Sequence, residues 1–265
     1  MSFQAIEHLP GVWHIADPMG VCCTLLVGET GALLVDAGYG LESISAFAGT
    51  LTDKPVRLLL THGHHDHALG AMDFDAAWLF PEDEAVYRTY TAMPQRLRVA
   101  DSAAQNGRVF DRERFLTAPV PETAAPPECV DLGGLTARII LCPAHTPGSA
   151  AVFVPERKLL LTGDDWNPVT WLFFPESLTV WQYREHVRRL TELPFEHVLC
   201  SHRQQLFPAA ALTSFLDGLT DGAIMAAEPS GEGAAMGIAT VTAHPSGDMI
   251  LVFDSKKRDC GGEQA

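Results

Sequence analysis

The stretch Thr61-His62-Gly63-His64-His65-Asp66-His67 places five imidazole or carboxylate side chains within the six positions 62–67. Histidine is the commonest metal ligand of proteins, and aspartate adds a hard oxygen for a second or shared ion. On extended backbone His62 and His64 project the same way. Asp66 and His67 turn away as the chain enters a helix, so one loop can serve two neighbouring ions. Gly63 and Gly70 are expected to give this turn its backbone freedom. One loop cannot complete two sites, but His145, Asp164 and His202 each follow a short apolar run and supply further donors. Two divalent ions roughly 3.5–4 Å apart can share one water and bring its pKa towards about 7. The chemistry indicated is attack by metal-activated hydroxide on an electrophilic carbonyl or phosphoryl centre.

Donors so far apart in sequence need a scaffold that gathers them. The runs Val56–Leu60, Ala137–Leu141, Lys158–Leu161 and His197–Leu199 are too short for helices and read as buried strands. Earlier strands are expected at Gly11–Ala16, Cys23–Val27 and Ala32–Asp36, followed by a helix at Leu41–Leu51. Helical stretches at Glu82–Met93 and Val180–Leu193 alternate with the strands, as in layered α/β architecture. In open α/β sheets ligands collect beyond the carboxyl ends of strands, and four of the predicted strands run out into His62, His145, Asp164 and His202. Asp101–Phe115 is expected to form another helix and the Pro-rich stretch Ala118–Glu128 a loop. A helix at Ala209–Ala227 and a hairpin pairing Ile238–Ala243 with Met249–Phe253 make a C-terminal unit within 209–254. The tail from Asp254 is expected to fray, leaving Lys256, Lys257 and Arg258 solvated. We read residues 1–265 as one domain, with the long insertion 72–127 as a candidate lid.

Bulk properties narrow the partners. A net charge of −15 over 265 residues argues against nucleic acid and against an anionic membrane surface. No apolar run approaches the roughly 18 to 20 residues of a membrane-spanning helix, and the N-terminal stretch lacks the features of a signal peptide. Cys22, Cys23, Cys129, Cys142, Cys200 and Cys260 show no CxxC spacing and are expected to be reduced, mostly buried thiols of a cytoplasmic protein. A small-molecule substrate is expected, and a homo-oligomer stays open.

In order along the chain stand Val35-Asp36-Ala37-Gly38, His62-x-His64-x-Asp66-His67, His145-Thr146-Pro147-Gly148, Thr162-Gly163-Asp164 and Ser201-His202. With these motifs the chain resembles the metallo-β-lactamase-fold hydrolases across essentially its first 205 residues. The resemblance implies an α/β (α+β) fold built as a four-layer αββα sandwich, with two divalent metal ions in a cleft at one sheet edge. It implies His62, His64 and His145 on the first ion and Asp66, His67 and His202 on the second. Asp164 would bridge both, and Asp36 would orient the ligands from behind. Asp66 or Asp164 would steady the nucleophile and shuttle its proton. His/Asp ligation suits Zn first, although Fe and Mn accept the same donors. His65 falls between the two sites, and Asp165 competes with Asp164 but sits out of the Thr-Gly-Asp register. His8, His14, His186, His197 and His244 stand outside any motif.

Secreted β-lactamases of this fold often carry a cysteine at the second metal, whereas the motif here supplies a bridging carboxylate. The pattern is closer to thioesterases of the glyoxalase II type, acyl-homoserine lactonases and some phosphodiesterases. An ester, thioester or lactone is therefore the first expectation and a phosphodiester the second. An iron-dependent redox protein is a third reading. It is disfavoured by His64, where flavin-linked di-iron relatives usually carry a carboxylate, and by the short chain after Arg203. A metal-stabilised binding protein without turnover is a fourth. The aromatic segment after Asp164, with Trp166, Trp171 and Phe173, is a candidate apolar wall for an acyl or aromatic group; core packing or an oligomer contact explains it equally well. Tyr183 is expected on a helix surface, with oxyanion donation as the alternative.

Overall fold

A computed structural model describes residues 3–259; Cys260 lies outside the described residues. Strands β1 (Gln4–Leu9), β2 (Val12–Ala16), β3 (Cys22–Val27), β4 (Ala32–Val35), β5 (Val56–Leu59), β6 (Ala77–Trp78) and β7 (Thr123–Ala124) form one sheet in sequential order. The chain continues through β8 (Cys129–Asp131), β9 (Thr136–Leu141), β10 (Ala150–Val154), β11 (Leu159–Leu161), β12 (Val169–Leu172), β13 (His197–Leu199) and β14 (Phe207–Pro208). It ends with β15 (Glu228–Ser230), β16 (Thr240–Ser246) and β17 (Met249–Asp254). A second sheet has the order β14-β13-β11-β10-β9-β8, and a small third sheet the order β12-β17-β16-β15.

Period-two alternation explains how the layers stack. In the first sheet Leu26, Leu33, Val35 and Leu59 face Ala137, Ile139, Val152, Leu159 and Leu199 of the second, closing a core between the sheets. Their neighbours Leu25, Leu34, Leu58 and Leu60 point the other way, into a layer with helix α1 (Ile44–Leu51). On the far side Phe153, Leu160 and Val198 pack with α6 (Val180–Leu190) and α7 (Ala209–Gly218). β4, β10 and β11 are buried on both faces, so those runs are apolar throughout. The result is the four-layer αββα arrangement.

The pairing also fixes which ends meet. β4 and β5 are parallel, β11 and β13 are parallel, and β9 and β11 both run antiparallel to β10. Asp36 and His62 therefore leave the first sheet at the same end, and His145, Asp164 and His202 leave the second likewise. Thr61 O accepts Ala150 N–H at 2.8 Å, tying the two exits together.

Between β5 and β8 lie α2 (His65–Ala68), α3 (Glu84–Tyr90), α4 (Met93–Gln105) and α5 (Arg112–Thr117). Here the expected boundaries were wrong. Pro94 stands in the first turn of a helix that starts at Met93, where the sequence reading ended one. Gly107, at φ 68°, follows the end of α4, and the Asp111 side chain caps α5 by accepting Arg114 N–H at 2.9 Å. The expected loop 118–128 contributes edge strand β7. The expected helix at 209–227 is divided into α7 and α8 (Asp221–Met225) because Thr220 caps a new helix through Ala223 N–H. The described part of the tail, residues 254–259, also departs from the expected fraying: Ser255–Lys257 forms a 3-10 turn, and Lys257 and Arg258 donate to backbone carbonyls rather than to water alone, while 260–265 lie outside the described residues. No described helix is long and apolar enough to cross a membrane.

Gly63 and Gly70 are required for space, not for dihedral freedom. Neither has positive φ, but a Cβ on Gly63 would stand 2.3 Å from Tyr87 N and one on Gly70 1.9 Å from Ala37 O. Gly70 thus lets the turn after α2 press against the Asp36–Gly38 turn. Gly70→Ala is expected to cost about 1–3 kcal/mol, the range of overpacked sites; an unchanged urea midpoint would refute this close-contact role.

Candidate metal centre

His62 Nε2 lies 3.1 Å from His64 Nδ1, and His145 Nε2 lies 3.0 Å from the same atom. The partner of each opposite ring nitrogen settles which nitrogen carries the proton. Glu176 Oε1 can only accept, so His64 Nε2 donates to it at 2.6 Å. The Trp171 carbonyl likewise takes His145 Nδ1–H at 2.7 Å. Thr61 Oγ1 commits its hydrogen to the Asp36 carboxylate and accepts His62 Nδ1–H at 3.1 Å. Three bare lone pairs therefore face one another in a buried space, an arrangement that favours a cation among them.

A second group adjoins the first. Asp164 Oδ2 lies 3.1 Å from His202 Nε2, 3.5 Å from His67 Nε2 and 3.7 Å from His145 Nε2. Asp66 Oδ2 lies 3.7 Å from both His67 Nε2 and His202 Nε2. His67 Nδ1 donates to Asp36 Oδ2 at 2.9 Å, and its buried Nε2 has no hydrogen-bond partner. Donor atoms of His62, His64 and His145 lie within 4.8 Å of one another, as do those of Asp66, His67 and His202. Asp164 joins His62 and His67 in a third such group. The donor chemistry fits two divalent cations: imidazole nitrogens turned inward, with carboxylates between.

Electrostatics agree with that fit. Burial and the neighbouring imidazoles hold His62 well below the ordinary histidine range, and burial with His64 brings His145 down to about 4. Both keep their lone pairs at neutral pH. Burial opposes ionisation of Asp66, yet His67, His65 and His202 hold it down at about 2. Asp164 is also held well below the usual carboxylate range, its burial outweighed by His202 and His67. For His67 burial is outweighed by Asp164, Asp36 and Asp66, which raise it. A cation in the carboxylate group would compete with that proton.

Behind the donors stand Asp36, which the sequence reading names, and further residues that it misses. Asp36 takes up left-handed backbone at φ 65° and accepts Thr61 N–H at 2.7 Å. Buried Asp83 accepts Gly63 N–H at 2.5 Å and Gly148 N–H at 3.0 Å, clamping the loop of His62 and His64 to that of His145. Asn167 donates to Asp164 Oδ1 at 3.3 Å and accepts His202 N–H at 3.2 Å. Asp165 points into the interior and accepts His145 N–H at 3.0 Å, so it is not the carboxylate at the centre. Thr61, Asp83, Asn167 and Glu176 had no signal, because each acts through fold-dependent contacts with distant residues.

The centre opens into a cleft of about 510 Å³, walled by Tyr39, Tyr90, Val169, Trp171 and Phe174, with Arg203 at its rim. Of the three aromatic candidates, only Trp171 lines it. Trp166 and Phe173 are buried, the first packed edge-on against Phe207 and the second stacked on Phe174. Tyr183 is also in the core, donating to the Asp165 carbonyl at 2.7 Å, which overturns its expected surface place. From the insertion 72–127 only Tyr90 reaches the cleft wall.

A family model described as the metallo-beta-lactamase superfamily matches residues 16–202. The chain belongs to this superfamily. Among its relatives in the superfamily, a hydroxyacylglutathione hydrolase from Cereibacter sphaeroides (strain ATCC 17029 / ATH 2.4.9) is 27% identical over 193 residues, covering 72% of this chain and 63% of that protein. An acyl-coenzyme A thioesterase from Bos taurus is 26% identical over 171 residues, covering 56% of this chain and 60% of that one. The chain thus spans somewhat under two thirds of these relatives' length. A solved beta-lactamase domain protein from Burkholderia ambifaria shares the fold at TM-score 0.61 and 21% identity, covering 84% and 74% of the two chains.

Thr61→Val deletes the hydroxyl that links Asp36 to His62 and leaves His62 Nδ1–H without its acceptor. Zinc affinity, measured by chelator competition, is expected to fall about tenfold or more. Wild-type affinity would show that the His62 ring is oriented by something else.

Proposed function

We propose that the chain is a dinuclear metal-dependent hydrolase that cleaves a thioester, ester or lactone. The observation carrying this reading is the place of Asp164 Oδ2, within 3.7 Å of His145 from one imidazole group and of His67 and His202 from the other. One carboxylate oxygen between two donor sets is what a shared ligand requires. His62, His64 and His145 would hold one ion, and Asp66, His67 and His202 the other, with zinc favoured by the donor types. When bound, the pair would supply an activated water and a Lewis acid for the developing oxyanion.

The chain's own residues supply the rest. Asp66 and Asp164, ionised and part-buried at the cleft floor, can take a proton from the attacking water and deliver it to the leaving group. Trp171, Phe174, Val169 and Tyr90 form an apolar wall beside His64 that suits an acyl or aromatic group. Arg203 is the single Lys or Arg among the described residues lining the cleft. One cation supports a carbonyl substrate over a phosphodiester. Both the hydroxyacylglutathione hydrolase and the acyl-coenzyme A thioesterase among the relatives are named for thioester substrates, which supports the same order. The described cysteines are all unbridged and four of the five are buried, which supports a reducing, cytoplasmic compartment.

Asp164→Ala is expected to lose metal and turnover together. The panel is a thioester, a lactone and bis-p-nitrophenyl phosphate, with metal content assayed on the same samples. Full turnover at normal metal content in this variant would contradict the reading. Preference for the phosphate diester in the unaltered protein would replace it by the phosphodiesterase alternative.

A further inference from the structure

The superfamily match ends at residue 202, yet two contacts from the C-terminal segment reach behind the His62, His64 and His145 group. The first is through the small sheet. β17 pairs in parallel with β12, placing Val252 opposite Trp171, whose carbonyl fixes the proton of His145. The second follows directly after β17. Lys257 Nζ donates to the carbonyls of Phe174 at 2.7 Å, Pro175 at 3.0 Å and Ser177 at 2.5 Å. Those three carbonyls surround Glu176, whose carboxylate takes His64 Nε2–H at 2.6 Å.

This geometry has a physical consequence. Glu176 lies in the connection between β12 and α6 and reaches His64 with a side chain that has three rotatable bonds. Holding such a carboxylate on one ring N–H costs rotamer entropy, and more if the backbone beneath it moves. An ammonium has three donors and no acceptor, so three carbonyls satisfy it fully and are drawn into one fixed turn. Lys257 is half-buried, so these bonds also offset its lost hydration.

We propose that Lys257 is a positioning residue for the metal centre, fixing the turn that carries Glu176 and, through Glu176, the donor nitrogen of His64. The inference needs a cation at that imidazole group but no particular substrate.

The test measures Zn²⁺ affinity of the full chain by competition with a chromophoric chelator, so it stands apart from any failure to find hydrolysis. Lys257→Met keeps the apolar stem and removes the ammonium. It is expected to weaken binding about tenfold, and Glu176→Leu between about tenfold and a hundredfold. The double variant should bind no more weakly than Glu176→Leu alone, since Lys257 acts through that side chain. Lys257→Arg should recover most of the loss. In cobalt-substituted protein, Lys257→Met and Glu176→Leu should change the visible absorption bands in the same sense. Wild-type zinc affinity in Lys257→Met would overturn the proposal, as would a double variant whose loss is the product of the two single losses. Should Lys257→Met fail to fold, Lys257→Gln is read by the same constant and the same criteria.

Discussion

Lone pairs that face one another at close range, away from water, repel unless a proton or cation lies between them. At the heart of this chain His62 Nε2, His64 Nδ1 and His145 Nε2 converge on such a point, with separations of 3.0 and 3.1 Å along the two contacts. Their protons are committed outward, to Thr61, Glu176 and the Trp171 carbonyl. The fold therefore has to hold three rings against their mutual preference, and much of the surrounding structure can be understood as the means of doing so. Strand exits bring the rings together, acceptors behind them fix their faces, and Asp83 prevents two of the loops from drifting apart.

The same logic extends to the neighbouring group. Asp36 is the common anchor: its carboxylate meets Thr61, and thereby His62, on one side and His67 on the other. Its left-handed backbone is a local strain that the three contacts offset. Gly70 allows the turn after α2 to approach this anchor, so a backbone packing detail and the orientation of His67 are parts of one constraint. The cleft beyond is apolar where Trp171 and Phe174 line it and charged only at its floor and rim. The stretch from Trp171 to Glu176 lines the cleft through Trp171 and Phe174 and reaches His64 through Glu176, so cleft wall and imidazole orientation share one segment.

Much of this was legible in the sequence, for reasons that differ by level. Short apolar runs mark the central strands because most of their positions are buried on both sheet faces, with Arg57 and Arg138 as exposed exceptions. His62, His64, Asp66 and His67 stood out as a local cluster, and His145, Asp164 and His202 as polar exits from apolar runs. Asp83, Asn167 and Glu176 did not, since a lone carboxylate or amide in a loop carries no periodicity and its partner is known only once the chain is folded. Trp166 and Phe173 illustrate the converse. Aromatic density suggests a wall, but β12 ends at Leu172, so the period-two rule that would put Phe173 on the side of Trp171 no longer applies, and Phe173 is buried while Trp171 and Phe174 line the cleft. Composition alone places Lys257 in a solvated charge run, because it does not reveal the three carbonyls that another loop presents to it.

The most direct test of the account is anomalous X-ray scattering at the metal absorption edge from crystals of the zinc-loaded protein. Two adjacent peaks are predicted, one against His62, His64 and His145 and the other against Asp66, His67 and His202, with Asp164 touching both. A single peak, or density that leaves Asp164 uncoordinated, would contradict a shared-carboxylate centre.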